Sequence, residues 1–391
     1  MGVMSSIVNT RFINPSDYGD VRYIQNILNF IASLLLFGFF HSGSRLLALS
    51  HDEKYSRRIR GVMIVILSIT SIILFVCSIG CYYIHCENAN VAYLFLVSLP
   101  VCFYPLLLNY VNTTAQGDNH IVRLSCARLI PQLLYVPIAF IVYSMYGATS
   151  VRMILLQWGI YTIILIGIII STKPVFNNLC PIYRKLSKEN KEYGIQLYIG
   201  SLIMVSTNYL AGIFLGLFNT DNSQVGFYTL ALTVAVPLTN VPSIIGTTFF
   251  KRFATEPRIP TRIIKVTILV TIVSAIVFII IVKPLVCFLY SERYQVVGVY
   301  ASLLAIGFSV HGLGDMINGY LRSHGQGKSI RNSSIANGLF KIFGYYVLVK
   351  YYNIWGAIFT TIFCSIIYCS TLMYYYYRFV NKDSNFIQHQ E

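Results

Sequence analysis

The chain has 391 residues, of which 56% are apolar or aromatic and only 11% carry charge, against roughly 25% charged in ordinary water-soluble domains. With a mean hydropathy of +0.65, that much apolar surface cannot be hidden in a single water-soluble core, and the chain reads as a polytopic membrane protein. The net charge of +15 does not call for nucleic acid, because the excess lies in short loops at the level of anionic lipid head groups.

The long runs of Ile, Leu and Val lack the two-residue alternation of an outer-membrane barrel, so the expected fold class is all-α. Spans are predicted at 24–44, 61–84, 92–113, 124–146, 151–172, 195–218, 226–250, 263–282, 296–320, 332–350 and 354–378, with residues 1–10 resembling the tail of one more. MGVMSSIV at the N-terminus is too short for a cleavable signal sequence. Of the 29 Lys and Arg, 23 fall on one set of alternate connections, including Arg57, Arg58, Arg60, Arg184, Lys185 and Arg252, and 6 fall on the other. That asymmetry predicts a cytoplasmic C-terminus. The outer connections, such as 147–150 and 351–353, leave no room for a soluble domain.

On the first predicted span, Arg22, Asn26, Asn29, Ser33, His41 and Arg45 recur at steps that keep them near one helical face, with Phe37 the gap. This stripe is expected either to line a polar cavity or to anchor the helix ends and bond neighbouring helices. Arg123 and Arg128 sit on the fourth span, close to water. The proline pairs Pro100/Pro105, Pro131/Pro137 and Pro237/Pro242 mark spans that bend, as moving parts or as static kinks. The connector at 173–194, KPVFNNLCPIYRKLSKENKEYG, is a basic amphipathic stretch suited to the membrane surface.

In the stretch GFSVHGLGDMINGYLRSHGQGKSIRN, His311 and Asp315 stand one helical turn apart within an apolar segment, a spacing suited to passing a proton or to a structural pair. Lys341 lies near the middle of its span, where an unpaired charge costs roughly 2.5–3.5 kcal/mol, and Asp315 is a candidate partner. The nine cysteines form no CxxC pair and are read as small buried side chains. The sequence contains no phosphate-loop, HExxH or catalytic-triad pattern, and no metal or cofactor is expected.

The chain repeats itself. Ile13–Ile27 recurs as Asn219–Thr233, Arg45 maps onto Arg252, and the turn at Gly117 maps close to the turn at Gly325, all at offsets of 207 or 208. Halves so related share one orientation in the membrane. The expected division is a first bundle over 1–172, a cytoplasmic connector over 173–194, a second bundle over 195–378 and a tail over 379–391.

RFINPSDYGDVRYIQNILNFIASLLLFGFFHSGSR resembles the opening of the polysaccharide transporter family, the O-antigen and exopolysaccharide flippases of the multidrug/oligosaccharidyl-lipid/polysaccharide exporter superfamily. NSQVGFYTLALTVAVPL and GYLRSHGQGKSIRNSSIANGLFKIFGYYVLVKYYNIWGAIFTTIF are similar to two further segments of it. The resemblance implies two pseudo-symmetric helical bundles around a central cavity, in a bacterial cytoplasmic membrane. It also implies a non-enzymatic flippase that moves an undecaprenyl-diphosphate-linked oligosaccharide to the outer leaflet, with membrane lipids, a glycan polymerase and chain-length machinery as candidate partners. The family's first helix should fill about 20 residues before Arg11 where ten are present, so helix 1 is expected to be missing or the assigned start to be late.

A cationic wall suits a diphosphate, and the expected substrate contacts are Arg22, Asn26, Asn29, His41, Arg45, Arg128, Arg252 and Lys341, with His311 and Asp315 coupling an ion or proton. A cation-coupled multidrug exporter is the alternative in the same superfamily, though it would carry more deep acidic residues than Asp315. A membrane polysaccharide polymerase or sugar transferase would show a long outer loop or a carboxylate pair.

Overall fold

The structure, a computed structural model, describes residues 3–50, 52–118 and 120–388. Residues 1–2 of the expected first bundle, His51 and Asn119 in its loops, and 389–391 of the expected tail lie outside them. The chain is helical along its length. It divides into two compact units, Met1–Ile213 and Phe214–Glu391, so the connector belongs with the first unit and the boundary falls within a helix.

The first unit holds α1 (Val3–Phe12), α2 (Pro15–Leu34), α3 (Phe39–Ala48), α4 (Glu53–Ile84), α5 (Ala89–Ser98), α6 (Tyr104–Gly117), α7 (Ile121–Tyr146), α8 (Ser150–Ser171) and α9 (Leu179–Glu189). A π-turn, Asn190–Gly194, joins α9 to α10 (Ile195–Phe218). The second unit continues from the end of α10 with α11 (Ser223–Ala235), α12 (Pro237–Thr248), α13 (Phe250–Phe253), α14 (Thr261–Leu289), α15 (Val296–Ser323) and α16 (Gly327–Gln388). Asn353 (φ 50°, ψ −131°) breaks α16 into two helices.

Among the described residues, seven helices are long and apolar enough to cross a membrane, or nine when each of two bent pairs counts as one span. The eleven expected stretches all fall on helices, because α16 carries two of them and 195–218 coincides with α10. The protein is a multi-pass membrane protein.

The duplication is legible in element starts. Glu53, Ala89 and Ile121 begin helices in the first unit, and Thr261, Val296 and Gly327 begin their counterparts in the second, 206 to 208 positions later. On the same offset, α1 matches the last turns of α10, and the break at Asn353 matches the end of α7 at Tyr146.

Two expected spans are not single rods. The span at 92–113 bends by 41° between α5 and α6, at Pro100 and Pro105, where the missing N–H groups and ring clashes interrupt the backbone ladder. The span at 24–44 bends more, by 63° between α2 and α3, and contains no proline. Phe37 (φ 45°) and Gly38 (φ 78°) take up left-handed conformations there. The cause is tertiary: a Cβ on Gly38 would stand 2.5 Å from the backbone of Gly194, so two glycines let the π-turn press against the break. Asn190 then donates its side-chain amide to the Phe37 carbonyl (3.0 Å), Ser42 bonds Asn190 (3.0 Å), and the Tyr198 hydroxyl donates to the Leu34 carbonyl (2.7 Å). The bonds to Phe37 and Leu34 satisfy carbonyls that a bent membrane helix would leave orphaned, and the Ser42 hydroxyl donates to Asn190 Oδ1. Gly38→Ala is expected to lower the denaturation midpoint in detergent by the equivalent of about 2–3 kcal/mol, from left-handed strain plus the clash. A midpoint unchanged from the parent would mean the contact with Gly194 is loose.

The orientation is open to direct labelling. Cysteines placed at exposed Glu87 and Thr220, in a background free of native cysteine, should react with an impermeant thiol reagent from outside, and one at exposed Lys188 should not. Asn222 is unsuitable because it is buried. The reverse labelling would overturn the orientation.

Candidate functional site

Within the second unit, α15 places three polar side chains on one face at i, i+4 and i+7: His311, Asp315 and Asn318. The second helix of α16 answers with Tyr368. Its hydroxyl donates to Asp315 Oδ1 (3.0 Å) and accepts from Asn318 Nδ2 (2.9 Å), and its ring stacks on His311 with centroids 4.4 Å apart and planes at 19°. His311 and Asp315 are therefore coupled through one tyrosine rather than to each other. Small residues permit this approach: a Cβ on Gly314 would meet the Tyr368 ring at 2.9 Å, and Gly312 packs on Pro242 and Thr239.

Lys341 lies on the first helix of α16, half-buried, within electrostatic range of His311 and Cys364. Among the described residues it forms no ion pair, so the expected Lys341–Asp315 pair is not made; Asp315 is turned to Tyr368 instead. A second cluster of hydroxyls is fully buried beside this one: Thr361 bonds Tyr228 (2.8 Å) and Tyr345 (3.1 Å). The second unit thus holds a band of hydroxyl, carboxylate, imidazole and ammonium groups inside apolar helices. Such groups are costly there unless they are paired or wetted.

The first unit treats its expected stripe differently. Arg22, Asn26, Asn29 and Ser33 stand on α2 while His41 and Arg45 stand on α3, and the 63° bend takes the two sets off one common face. Arg22 bonds Gln25 (2.7 Å), lies 4.9 Å from the Tyr18 ring centroid, and leaves its Nε buried without a partner among the described residues. Gln25 in turn bonds Gln157 of α8 (3.1 Å). Asn29 donates to the Gln25 carbonyl (2.5 Å) and Ser33 to that of Phe30 (2.6 Å), so these two amplify α2 rather than reach outward. Asn26 and His41 are half-buried.

Arg45 pairs with Glu189 of α9 (2.5 Å) and lies 4.7 Å from the Tyr193 ring centroid, which fastens α3 to the connector. Arg128 is exposed on α7. Arg252 bonds Glu256 one turn on (3.3 Å) and, with Arg262, lines a groove of about 270 Å³ between α12 and α14.

Sequence reasoning passed over two features. One is Tyr368, which carried no signal because its role depends on a neighbouring helix. The other is Asp118, 5% exposed, which pairs with Arg60 (2.8 Å) and Arg123 (3.0 Å) at the basic end of the first unit, where Arg60 also donates to the Thr172 carbonyl (3.1 Å). The signal was present: an acidic residue in the turn at Gly117, at the level of two cations. Among the described residues, no group of three His, Cys, Asp or Glu could hold a metal.

Helices of this number and order, repeated in two units, form the fold of MOP-superfamily membrane transporters. A multidrug resistance MATE family transporter in its inward-facing conformation matches with a TM-score of 0.71 at 15% identity, covering 96% of this chain and 94% of that one. The lipid II flippase MurJ, inward closed, matches with a TM-score of 0.74 at 12% identity over 95% and 84% of the two chains. A MOP superfamily transporter from Pyrococcus furiosus matches at 0.55 and 14% over 96% and 91%. No curated protein matches by sequence. The family profile described as polysaccharide biosynthesis protein matches residues 1–255. The chain belongs to that family.

Proposed function

We propose that the protein is a flippase that moves an undecaprenyl-diphosphate-linked oligosaccharide from the inner to the outer leaflet of a bacterial cytoplasmic membrane during synthesis of a surface polysaccharide such as O-antigen or exopolysaccharide. The observation that carries this reading is membership of a polysaccharide biosynthesis family by a chain built of membrane helices on a transporter fold. The other resources of the site agree with it. Lys341 is a half-buried cation without a carboxylate partner among the described residues, and Arg22 has a buried guanidinium nitrogen without one. An anionic head group would supply the missing partner, and a membrane potential negative inside favours its outward movement by about 2.3 kcal/mol per charge per 100 mV.

Depletion of the protein in its own cells tests the reading. Lipid-linked oligosaccharide should accumulate on the side where it is synthesised while surface glycan falls. Unchanged surface glycan with no accumulated intermediate would refute it.

One observation favours a second reading, a cation-coupled exporter: the His311–Tyr368–Asp315 arrangement is a titratable cluster inside paired membrane helices. Under that reading, Asp315→Asn would abolish drug efflux and leave surface glycan untouched.

A further inference from the structure

At the basic end of the first unit, α4, α9 and the bend after α2 enclose an apolar groove with a volume of about 420 Å³. Its wall on α4 is the row Val62, Val65, Ile69 and Ile73, and Phe37 and Tyr183 close it from the bend and from α9. Val65, Ile69 and Ile73 are each at least 40% exposed, so the groove opens sideways. From Val62 to Ile73 it runs roughly 16 Å at 1.5 Å per residue, close to one leaflet's share of a hydrocarbon core about 30 Å thick.

The row continues toward the basic end into charge. One turn before Val62 on the same ridge stands Arg58, and three residues earlier Tyr55. Helical side chains lean toward the N-terminus, so Arg58 is directed from the Val62 end of the row toward the basic end of α4. Its Nε and the Tyr55 hydroxyl are buried and have no hydrogen-bond partner among the described residues. From α9, the Lys185 ammonium sits 5.1 Å over the Tyr55 ring. α9 is held there by the backbone bond from Val175 N to the Arg57 carbonyl (3.1 Å) and by the absence of a side chain at Gly61, where the Val175 carbonyl presses in. The result is an apolar channel one leaflet long, open to the side and capped by two cations, with the Arg58 Nε and the Tyr55 hydroxyl lacking partners among the described residues.

We propose that this groove holds one anionic phospholipid of the leaflet on the basic side of the membrane, with an acyl chain along α4 and its phosphate between Arg58, Lys185 and the Tyr55 hydroxyl. A phospholipid fits better than a longer polyprenyl carrier because the apolar length matches a single leaflet and the cap carries donors for one phosphate. The lipid would lie against Phe37 and so brace the bend between α2 and α3. This inference does not rest on the transported substrate.

The test uses the full chain in phosphatidylcholine vesicles, with Tyr183→Trp as a reporter in a Trp355→Phe background; the remaining Trp158 is buried. Brominated phosphatidylglycerol should half-quench the reporter at a mole fraction about tenfold lower than brominated phosphatidylcholine. The preference should vanish in Arg58→Gln/Lys185→Gln and persist in Lys328→Gln/Arg331→Gln, which removes two exposed cations from the other unit. Should the first double variant fail to reconstitute, Lys185→Gln alone, at an exposed position, should cut the preference about threefold. Equal quenching by the two lipids in the parent, or a preference untouched by the Arg58 and Lys185 changes, overturns the proposal. Relief of quenching by stoichiometric decaprenyl phosphate would also overturn it, by assigning the groove to a polyprenyl carrier.

Discussion

Alanine at Lys341 should reduce export of the finished glycan about ten- to hundredfold while the protein stays at its normal level in the membrane. The size follows from the contact proposed for it: a hydrogen bond to a charged partner contributes roughly 1.5–3 kcal/mol, and each 1.4 kcal/mol is about tenfold. Lys341 is suited to the role because it stands within the first helix of α16, roughly 21 Å from Gly327, and forms no ion pair among the described residues. A cation so placed is tolerated only where water or an anion reaches it. Lys341→Arg should keep more activity than Lys341→Gln, since attraction survives a change of head-group geometry. Normal export by Lys341→Gln, or loss of the protein itself in Lys341→Ala, would make Lys341 a structural residue.

The second large effect is on stability. Asp118→Asn should destabilise the first unit by about 3–5 kcal/mol, the usual consequence of removing one partner from a buried ion network. Its carboxylate is 5% exposed and is the counter-charge for Arg60, 9% exposed, and for Arg123, 21% exposed. Neutralised, it leaves two guanidinium groups facing each other where α4, α6, α7 and the end of α8 meet. Because Arg123 is the more exposed arm, Arg123→Gln should cost less than Arg60→Gln. The denaturation midpoint in detergent measures all three, and a shift for Asp118→Asn below that of Arg123→Gln would show that the network is not what joins these helix ends.

Hydropathy and the repeat carried most of the architecture in the sequence. The eleven apolar stretches correspond to helices because membrane helices must be apolar over their whole length. The repeat predicted in residues such as Arg45 and Arg252 reappears in the helix starts at Ala89 and Val296. The bend at Phe37 was not legible: Gly38 looks like any glycine in an apolar run until Gly194, far along the chain, packs against it. The stripe from Arg22 to Arg45 was read on an unbroken helix and is split for the same reason.

The polar site was legible only in part. His311, Asp315 and Lys341 stand out as charged or titratable groups in apolar surroundings. The partner that organises the first two is Tyr368, one of 30 tyrosines, and its selection depends on how two helices pack. Asp118 was hidden differently, since a turn that reads as Gly-rich and basic draws attention to its cations rather than to the single carboxylate that binds them.

The central claim, that the chain carries a lipid-linked oligosaccharide across the bilayer, is tested most directly by reconstitution. Vesicles containing the purified full chain and a lipid-linked oligosaccharide loaded into one leaflet are probed with an impermeant lectin or periodate on the opposite side. Glycan should become accessible at a rate proportional to the protein present, and the protein-dependent rate should fall about ten- to hundredfold with Lys341→Ala. Accessibility at the same rate with and without the protein would contradict the account.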